Sequence, residues 1–403
     1  MEKQKNIPQC RFPEFEGEWS SIKLGEYINI TSGNSPSLYK LSGEGNYPFL
    51  KVEELNNSDK YQINSRFYTD DSKNLVEKNS IIFPKRGAAI LVNKIRINAV
   101  PVQMDSNLMA IKPISANLNH EFLYYVINKE RLYKIADTST IPQINNKHIE
   151  PYKLYIPKRA EQHKIASFFT AIDQKISQLK RKKTLLEQYK KGVMQKIFSQ
   201  EIRFRDDNGQ EFPKWENKKL SEYLFVSKNK NYAGNYSKDD VLSVSGEYGI
   251  VNQIEFQGRS FAGESVLNYG EVETGDIVYT KSPLKNNPYG IIKVNKGNSG
   301  IVSTLYAVYK CKDNALGEYF DYYFQLDEKL NGYLRPLVHK GAKNDMKINN
   351  ERVLIDPLKV PCRQEQQIII NFLSSIDDKI KHTQRQIEKV EVWKKGLMQQ
   401  MFV

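Results

Sequence analysis

Across residues 161–198, apolar side chains recur every seven positions, at Ile165, Ile172, Leu179, Leu186 and Val193. Residues 365–402 repeat the spacing with Ile369, Ile376, Thr383, Val390 and Leu397. A second row follows four residues on, at Phe169, Ile176 and Ile197 in the first segment and at Leu373, Ile380, Ile387 and Met401 in the second. Two such rows make one apolar seam along a helix, the pattern of a coiled coil. Neither segment contains proline, so the pattern predicts two long uninterrupted helices, with Pro157 and Pro361 punctuating the chain just before each begins. Elsewhere the apolar runs are short and β-rich: Ile81, Ile82 and Phe83; Leu108 to Ile111; Ile277 to Tyr279; Leu305 to Val308. Helical stretches are predicted over 120–135 and 316–330.

The two seam segments are copies of each other. They align without a gap at an offset of 204, with 16 of 38 positions identical. Upstream the likeness is fainter and the offset falls to 196 or 197: Trp19, Leu24, Glu26 and Tyr27 match Trp215, Leu220, Glu222 and Tyr223, and Ser80-Ile81-Ile82-Phe83 matches Asp276-Ile277-Val278-Tyr279. A period this long marks two copies of one domain, since solenoid units run at roughly 20–50 residues. The division that follows is a first module over 1–157, a long helix over 158–199, a second module over 200–361 and a second long helix over 362–403. The fold class is α+β, with two similar mixed α/β modules joined by two long helices that form an antiparallel coiled coil.

A helix of 38 residues extends about 57 Å at about 1.5 Å per residue. A helix that merely covers its own module is the plainer alternative. A seam of this length calls for a partner of equal length, and the other copy supplies one. Gly192 and Gly396 sit at matching places near the helix ends, where glycine costs about 1 kcal/mol against alanine. Close approach of the helices and a frayed end both account for them.

The 60 Lys and Arg against 47 Asp and Glu leave a net charge of +13, which favours a polyanionic partner. The first seam segment alone carries a balance of +6, concentrated at Lys180, Arg181, Lys182 and Lys183. A solvated helix face explains such runs most often; contact with the phosphates of a polyanionic partner is the alternative expectation. The three cysteines have unrelated spacings and support neither a disulfide frame nor a zinc cluster. No apolar run is long enough to span a membrane and no secretory signal opens the chain, so the expected compartment is the cytoplasm.

Catalytic signatures are missing. There is no P-loop, and the five histidines show no ligand spacing. Asp173 with Lys175, and Asp377 with Lys379, mimic nuclease acid–lysine pairs but fall on the long helices, where surface charge pairing is expected. The expected function is binding, with no metal and no cofactor in this chain. Candidate reading groups lie in polar loops, because Arg and Lys suit guanine acceptors and phosphates, Asn and Gln suit adenine, and aromatics stack. The first module offers Ser32, Asn34 and Tyr39, then Lys85 and Arg86, then Thr140 and Gln143. The second offers Lys228, Lys230 and Tyr232, then Lys281, Lys285 and Asn286, then Lys340, Lys343 and Asn344.

Two variable modules, each closed by Pro-x-x-x-Glu-Gln (Pro157 to Gln162 and Pro361 to Gln366) and by a helix ending in Lys-Lys-Gly-x-Met-Gln, resemble the specificity subunits of type I restriction–modification systems. The resemblance covers nearly the whole chain, and the duplicated helix block is its most specific part. It implies two target recognition domains, each reading one half of a split, asymmetric sequence in double-stranded DNA. It also implies that the helices set the unread gap and dock two methyltransferase subunits, while restriction/translocase subunits join the complex. S-adenosylmethionine, ATP and Mg would belong to those partners. A bacterial, nucleoid-associated location is implied, with no membrane partner. Two other readings stand beside it: a coiled-coil adaptor that binds only proteins, and a degenerate methyltransferase.

Overall fold

The structure, a computed structural model, describes residues 6–139, 141–284, 286–338 and 348–403. The chain forms two compact units, residues 1–182 with 383–403, and residues 183–382.

In the first unit, Ser20–Lys23 runs antiparallel to Lys153–Ile156 with Ser20 opposite Ile156, so both ends of the module meet in one strand pair. Between them lies a five-stranded sheet in the order Ile28–Ser32, Leu108–Pro113, Ile81–Pro84, Arg96–Asn98, Tyr61–Gln62. The unbroken apolar run at Ile81, Ile82 and Phe83 reflects burial on both faces. Ile81 and Phe83 face the main core with helix α1 (His120–Glu130), while Ile82 joins a smaller core with Leu50, Leu108 and Ala110. The helix expected over 120–135 ends at Glu130 because Arg131 turns to φ 64° and the Asn93 side chain takes the Leu132 amide at 2.9 Å. A single helical turn, α2 (Asn146–Ile149), precedes the long helix α3 (Arg159–Phe198).

The second unit repeats this frame. Glu216–Lys219 runs antiparallel to Pro357–Val360, and a four-stranded sheet has the order Leu224–Val226, Tyr306–Cys311, Ile277–Thr280, Ile292–Val294. The hairpin Leu242–Ser245 with Gly249–Asn252 leads into the short helix α4 (Gln253–Gln257). The helix expected over 316–330 is two helices, α5 (Gly317–Phe324) and α6 (Asp327–Leu334), split where Leu326 turns into the core. The second long helix is α7 (Arg363–Gln400).

The Pro-x-x-x-Glu-Gln blocks are structural clasps. Glu161 is buried and receives Arg11 through two guanidinium nitrogens, each at 2.8 Å. Gln162, also buried, accepts the Asn119 amide at 2.9 Å and donates to the carbonyls of Asn117 and Pro157 at 2.8 and 2.9 Å. In the second copy Glu365 receives Arg203 and the Trp215 indole, while Gln366 accepts from Leu316 and donates to Asn314 and Pro361. Each clasp satisfies buried polar groups at the start of a long helix and ties that helix to its module.

The seam residues serve two purposes. In the first unit Ile165, Phe169, Ile172 and Ile176 complete the module core, joined there by Met401 and Phe402, with Val390 and Leu397 packed alongside. In the second, Ile369, Leu373 and Ile376 share the core with Met194, Ile197 and Phe198, flanked by Val193 and Ile380. Leu179 and Thr383 are buried, while Leu186 is only half-buried. The plainer alternative therefore holds for the early part of each seam, and helix pairing holds as well. Within the first unit Asp173 meets Lys394 and Lys180 meets Glu391, so rising numbers on α3 oppose falling numbers on α7 and the pair is antiparallel. Asp173 thus takes part in charge pairing, its partner being Lys394 on α7. Neither account of the glycines holds: α3 and α7 continue past Gly192 and Gly396, and a Cβ at either would meet nothing within 4 Å among the described residues.

Candidate nucleic-acid interface

Sheet register gathers the first module's three candidate loops at one place. Ser32 lies opposite Met109 and Pro84 opposite Leu108, so the loops after Ser32 and Pro84 leave the same end of the sheet, where the strand at Leu108 begins. Backbone hydrogen bonds knit them together. Gly33 donates to Leu108 at 3.0 Å, Asn34 to Met104 at 2.9 Å and Lys85 to Asn107 at 2.8 Å. Ile144 in turn donates to Lys85 at 2.9 Å and Gly87 to Pro142 at 2.9 Å, which sets Arg86 opposite Gln143. Only glycine fits at 33, since a Cβ would stand 2.0 Å from the Asp105 carbonyl oxygen.

Side chains at this end divide into two groups. Asn34 donates to the Tyr39 hydroxyl at 3.0 Å, and that hydroxyl donates to Gln103 at 3.0 Å, so both candidates are engaged in shaping the loop. Ser32 and Arg86 are exposed, with Lys85 and Gln143 half-buried beside them. Burial pushes the Lys85 ammonium below its ordinary value; the neighbouring Arg86 adds to the shift and Asp105 opposes it. Thr140 lies outside the described residues.

The second module shows the same arrangement. Val226 lies opposite Tyr309 and Thr280 opposite Tyr306, so the loops that follow them share one end of the sheet. Lys228, Lys230 and Tyr232 are exposed on a loop held by buried Asn231, which donates to the Tyr236 carbonyl at 2.8 Å and accepts its amide at 3.0 Å. Lys281 is half-buried, and burial lowers its pKa. Asn286 is exposed, its carbonyl accepting from Asn331 at 3.1 Å. Lys285, Lys340, Lys343 and Asn344 fall outside the described residues.

Some members of this end were not legible in the loops. Asp105 and Asn107 organise the turn on which the first module's loops rest. Elsewhere in the second module Tyr248 and Phe256 pack together at 5.3 Å yet stay exposed, and Arg259 stacks on exposed Phe261 at 4.6 Å. Of the basic run on α3, Lys180 is paired with Glu391 at 2.8 Å and Lys183 with Glu187 at 3.6 Å, leaving Arg181 and Lys182 as its exposed members without a carboxylate among the described residues. Among the described residues no group of three or more His, Cys, Asp or Glu could hold a metal ion, and no helix is long and apolar enough to cross a membrane.

Residues 16–188 match the family described as the type I restriction modification DNA specificity domain. Over 414 aligned positions, spanning 98% of this chain and 93% of the relative, the chain is 24% identical to the type I restriction enzyme MjaVIII specificity subunit of Methanocaldococcus jannaschii. Residues 16–188 thus match the specificity domain, and the chain over nearly its whole length is similar to type I restriction–modification specificity subunits. A second relative from the same organism, the putative MjaX specificity subunit, is 21% identical over 98% of this chain and 95% of its own length. The fold agrees: the crystal structure of the S subunit from M. genitalium superposes with a TM-score of 0.58 at 14% identity, covering 98% of this chain and 99% of that one. A chain from a structural study of type I complex assembly and conformational transition gives 0.55 at 12% identity, with 94% and 96% covered. The internal repeat carries a copy of the matched tail on to residues 365–402, beyond the segment that the family description covers.

Proposed function

We propose that this chain is the sequence-reading subunit of a type I restriction–modification complex, recognising a bipartite, asymmetric target in double-stranded DNA and leaving the chemistry to its partners. The observation that carries the reading is the recurrence, in two similar but non-identical modules, of one sheet end where basic and amide side chains collect on pinned loops. Similar frames with different loop residues suit two different half-sites. Methyl transfer and cleavage then belong to methyltransferase and restriction/translocase subunits, which bring S-adenosylmethionine, ATP and Mg, and the complex works in the cytoplasm. In this reading Arg181 and Lys182, exposed on α3, contact backbone phosphates.

Two copies of one methyltransferase partner suit the duplicated tails. Tyr189 and Trp393 occupy matching positions and are both about half exposed (54% and 52%). One turn further on stand Gly192 and Gly396, whose small size nothing among the described residues requires. An exposed ring beside an open stretch of backbone, presented twice, is a surface that one kind of partner can use twice.

The test is module exchange. Residues 20–156 are replaced by the corresponding module of another family member in a host carrying the partner subunits, and methylated adenines are mapped across the genome. One half-site changing while the other persists supports the proposal; an unaltered methylation pattern overturns it.

A further inference from the structure

We infer that Lys85 and Lys281 are equivalent phosphate anchors, one per module, that seat each module on the DNA backbone beside the residues that read bases. This rests on the proposed DNA-reading role. The two lysines are 196 positions apart, the offset of the module repeat, and each directly follows an interior strand of its sheet, Ile81–Pro84 or Ile277–Thr280. Their neighbours differ: Arg86 and Gly87 follow the first, Ser282 and Pro283 the second. A shared cation beside divergent residues matches a division between docking, which needs no sequence information, and reading, which does.

Both backbones are held rigidly. Lys85 donates its amide to Asn107 at 2.8 Å and accepts the Ile144 amide at 2.9 Å. Just before Lys281, Thr280 donates to the Ile291 carbonyl at 2.9 Å and accepts the Ile291 amide on its hydroxyl at 2.9 Å. Gly290, at φ 90°, allows that approach, since a Cβ there would stand 2.0 Å from the Thr280 carbonyl oxygen.

The ammonium groups themselves have no ion-pair partner among the described residues; Asp105 acts on Lys85 only from beyond ion-pair distance. Both side chains are half-buried, and among the described residues neither makes a hydrogen bond or ion pair. Lys60, Lys190 and Lys394, by contrast, each face a carboxylate, on Glu121, Asp377 and Asp173. A cation held partly out of water without an anion is costly unless a ligand supplies one. Lysine acts toward phosphate as a point charge, which suits a contact that tolerates any sequence.

The experiment measures duplex DNA binding by the full-length chain across a range of KCl concentrations, for the wild type, K85Q, K281Q, the double variant and the K85R and K281R controls. Each glutamine should lower the slope of log K against log salt by about 0.9, the double variant by about twice that, and the arginines should preserve it. Lysine acetylation read by mass spectrometry on the unmodified chain gives a readout free of folding defects, with Lys85 and Lys281 becoming protected on adding DNA. A wild type that shows no salt-dependent DNA binding defeats the parent proposal. Normal wild-type binding with unchanged slopes and no protection defeats this inference alone. Altered site preference at unchanged slope reassigns the lysines to bases and overturns the phosphate role.

Discussion

Asp173 Oδ1 accepts the Lys394 ammonium at 2.5 Å, joining α3 to α7 inside the first unit. Asp377 Oδ1 accepts Lys190 at 2.6 Å inside the second, each member displaced by the repeat offset of 204. Both carboxylates also accept a tyrosine hydroxyl from their own module, Tyr125 at 2.7 Å and Tyr322 at 2.8 Å. A slip of one helix past the other separates Asp173 from Lys394, so the pair selects the register that the apolar rows only outline. Asp173→Ala should cost about 1–3 kcal/mol in urea unfolding, because Lys394 and Tyr125 lose their acceptor. A double-mutant cycle with Lys394→Met should show favourable coupling; additive effects would remove the locking role.

The clasp makes a sharper local prediction. Gln162→Ala strands the Asn119 amide and frees the carbonyls of Asn117, before α1, and Pro157, before α3. The expected loss is about 1–3 kcal/mol, seen as faster hydrogen exchange at Asn119 and through the first turns of α3. The equivalent exchange-protected region around Leu316 should be unaffected, since Gln366 serves it separately.

Near the C-terminal end of the chain lies a core residue of the first unit. Phe402 stands 5.6 Å from Phe122, 5.7 Å from Phe169 and 6.3 Å from Trp19 between ring centroids. Phe402→Ala should cost about 3–5 kcal/mol, as large-to-small core changes do, with altered Trp19 fluorescence. Phe198 holds the corresponding place in the second unit, against Tyr319 at 5.7 Å and Tyr323 at 5.2 Å. Phe198→Ala should leave Trp19 emission unchanged.

Acid sensitivity should trace in part to Glu121. Burial by itself raises this carboxyl, but hydrogen bonds from Tyr61 and Thr170 and the Lys60 ammonium outweigh it and hold the group below its ordinary 4.5. A carboxylate with a depressed folded-state pKa binds fewer protons folded than unfolded. Its contribution is complete above about 4.5 and is lost as pH falls through the lower folded value. Unfolding free energy followed from pH 6 to 3 should fall less steeply in Glu121→Gln than in the wild type. Parallel curves would show that the network around Lys60 contributes no pH dependence.

The strands beginning near Ile81, Leu108, Ile277 and Tyr306 were legible because a buried strand writes its apolar residues consecutively. The break after Glu130 was not, since it depends on Asn93 reaching the Leu132 amide from 39 residues away. At the candidate interface, Lys85, Arg86 and Gln143 were chosen from separate loops, and strand register brings them together. Asn34 and Tyr39 carried the same chemical promise, yet Gln103 draws them into an internal chain.

Periodicity and self-comparison by themselves determined the two long helices, the duplication and the mixed α/β modules, because helix and strand spacing is local and repeats wherever the same geometry recurs. Tertiary structure alone decided which groups are free to meet a ligand. Arg11 finds Glu161 across 150 positions, Arg203 finds Glu365 across 162 and Lys180 finds Glu391, while Lys85 and Lys281 form no ion pair among the described residues. A charge's partner is set by how distant segments are brought together in space, and no local spacing records that.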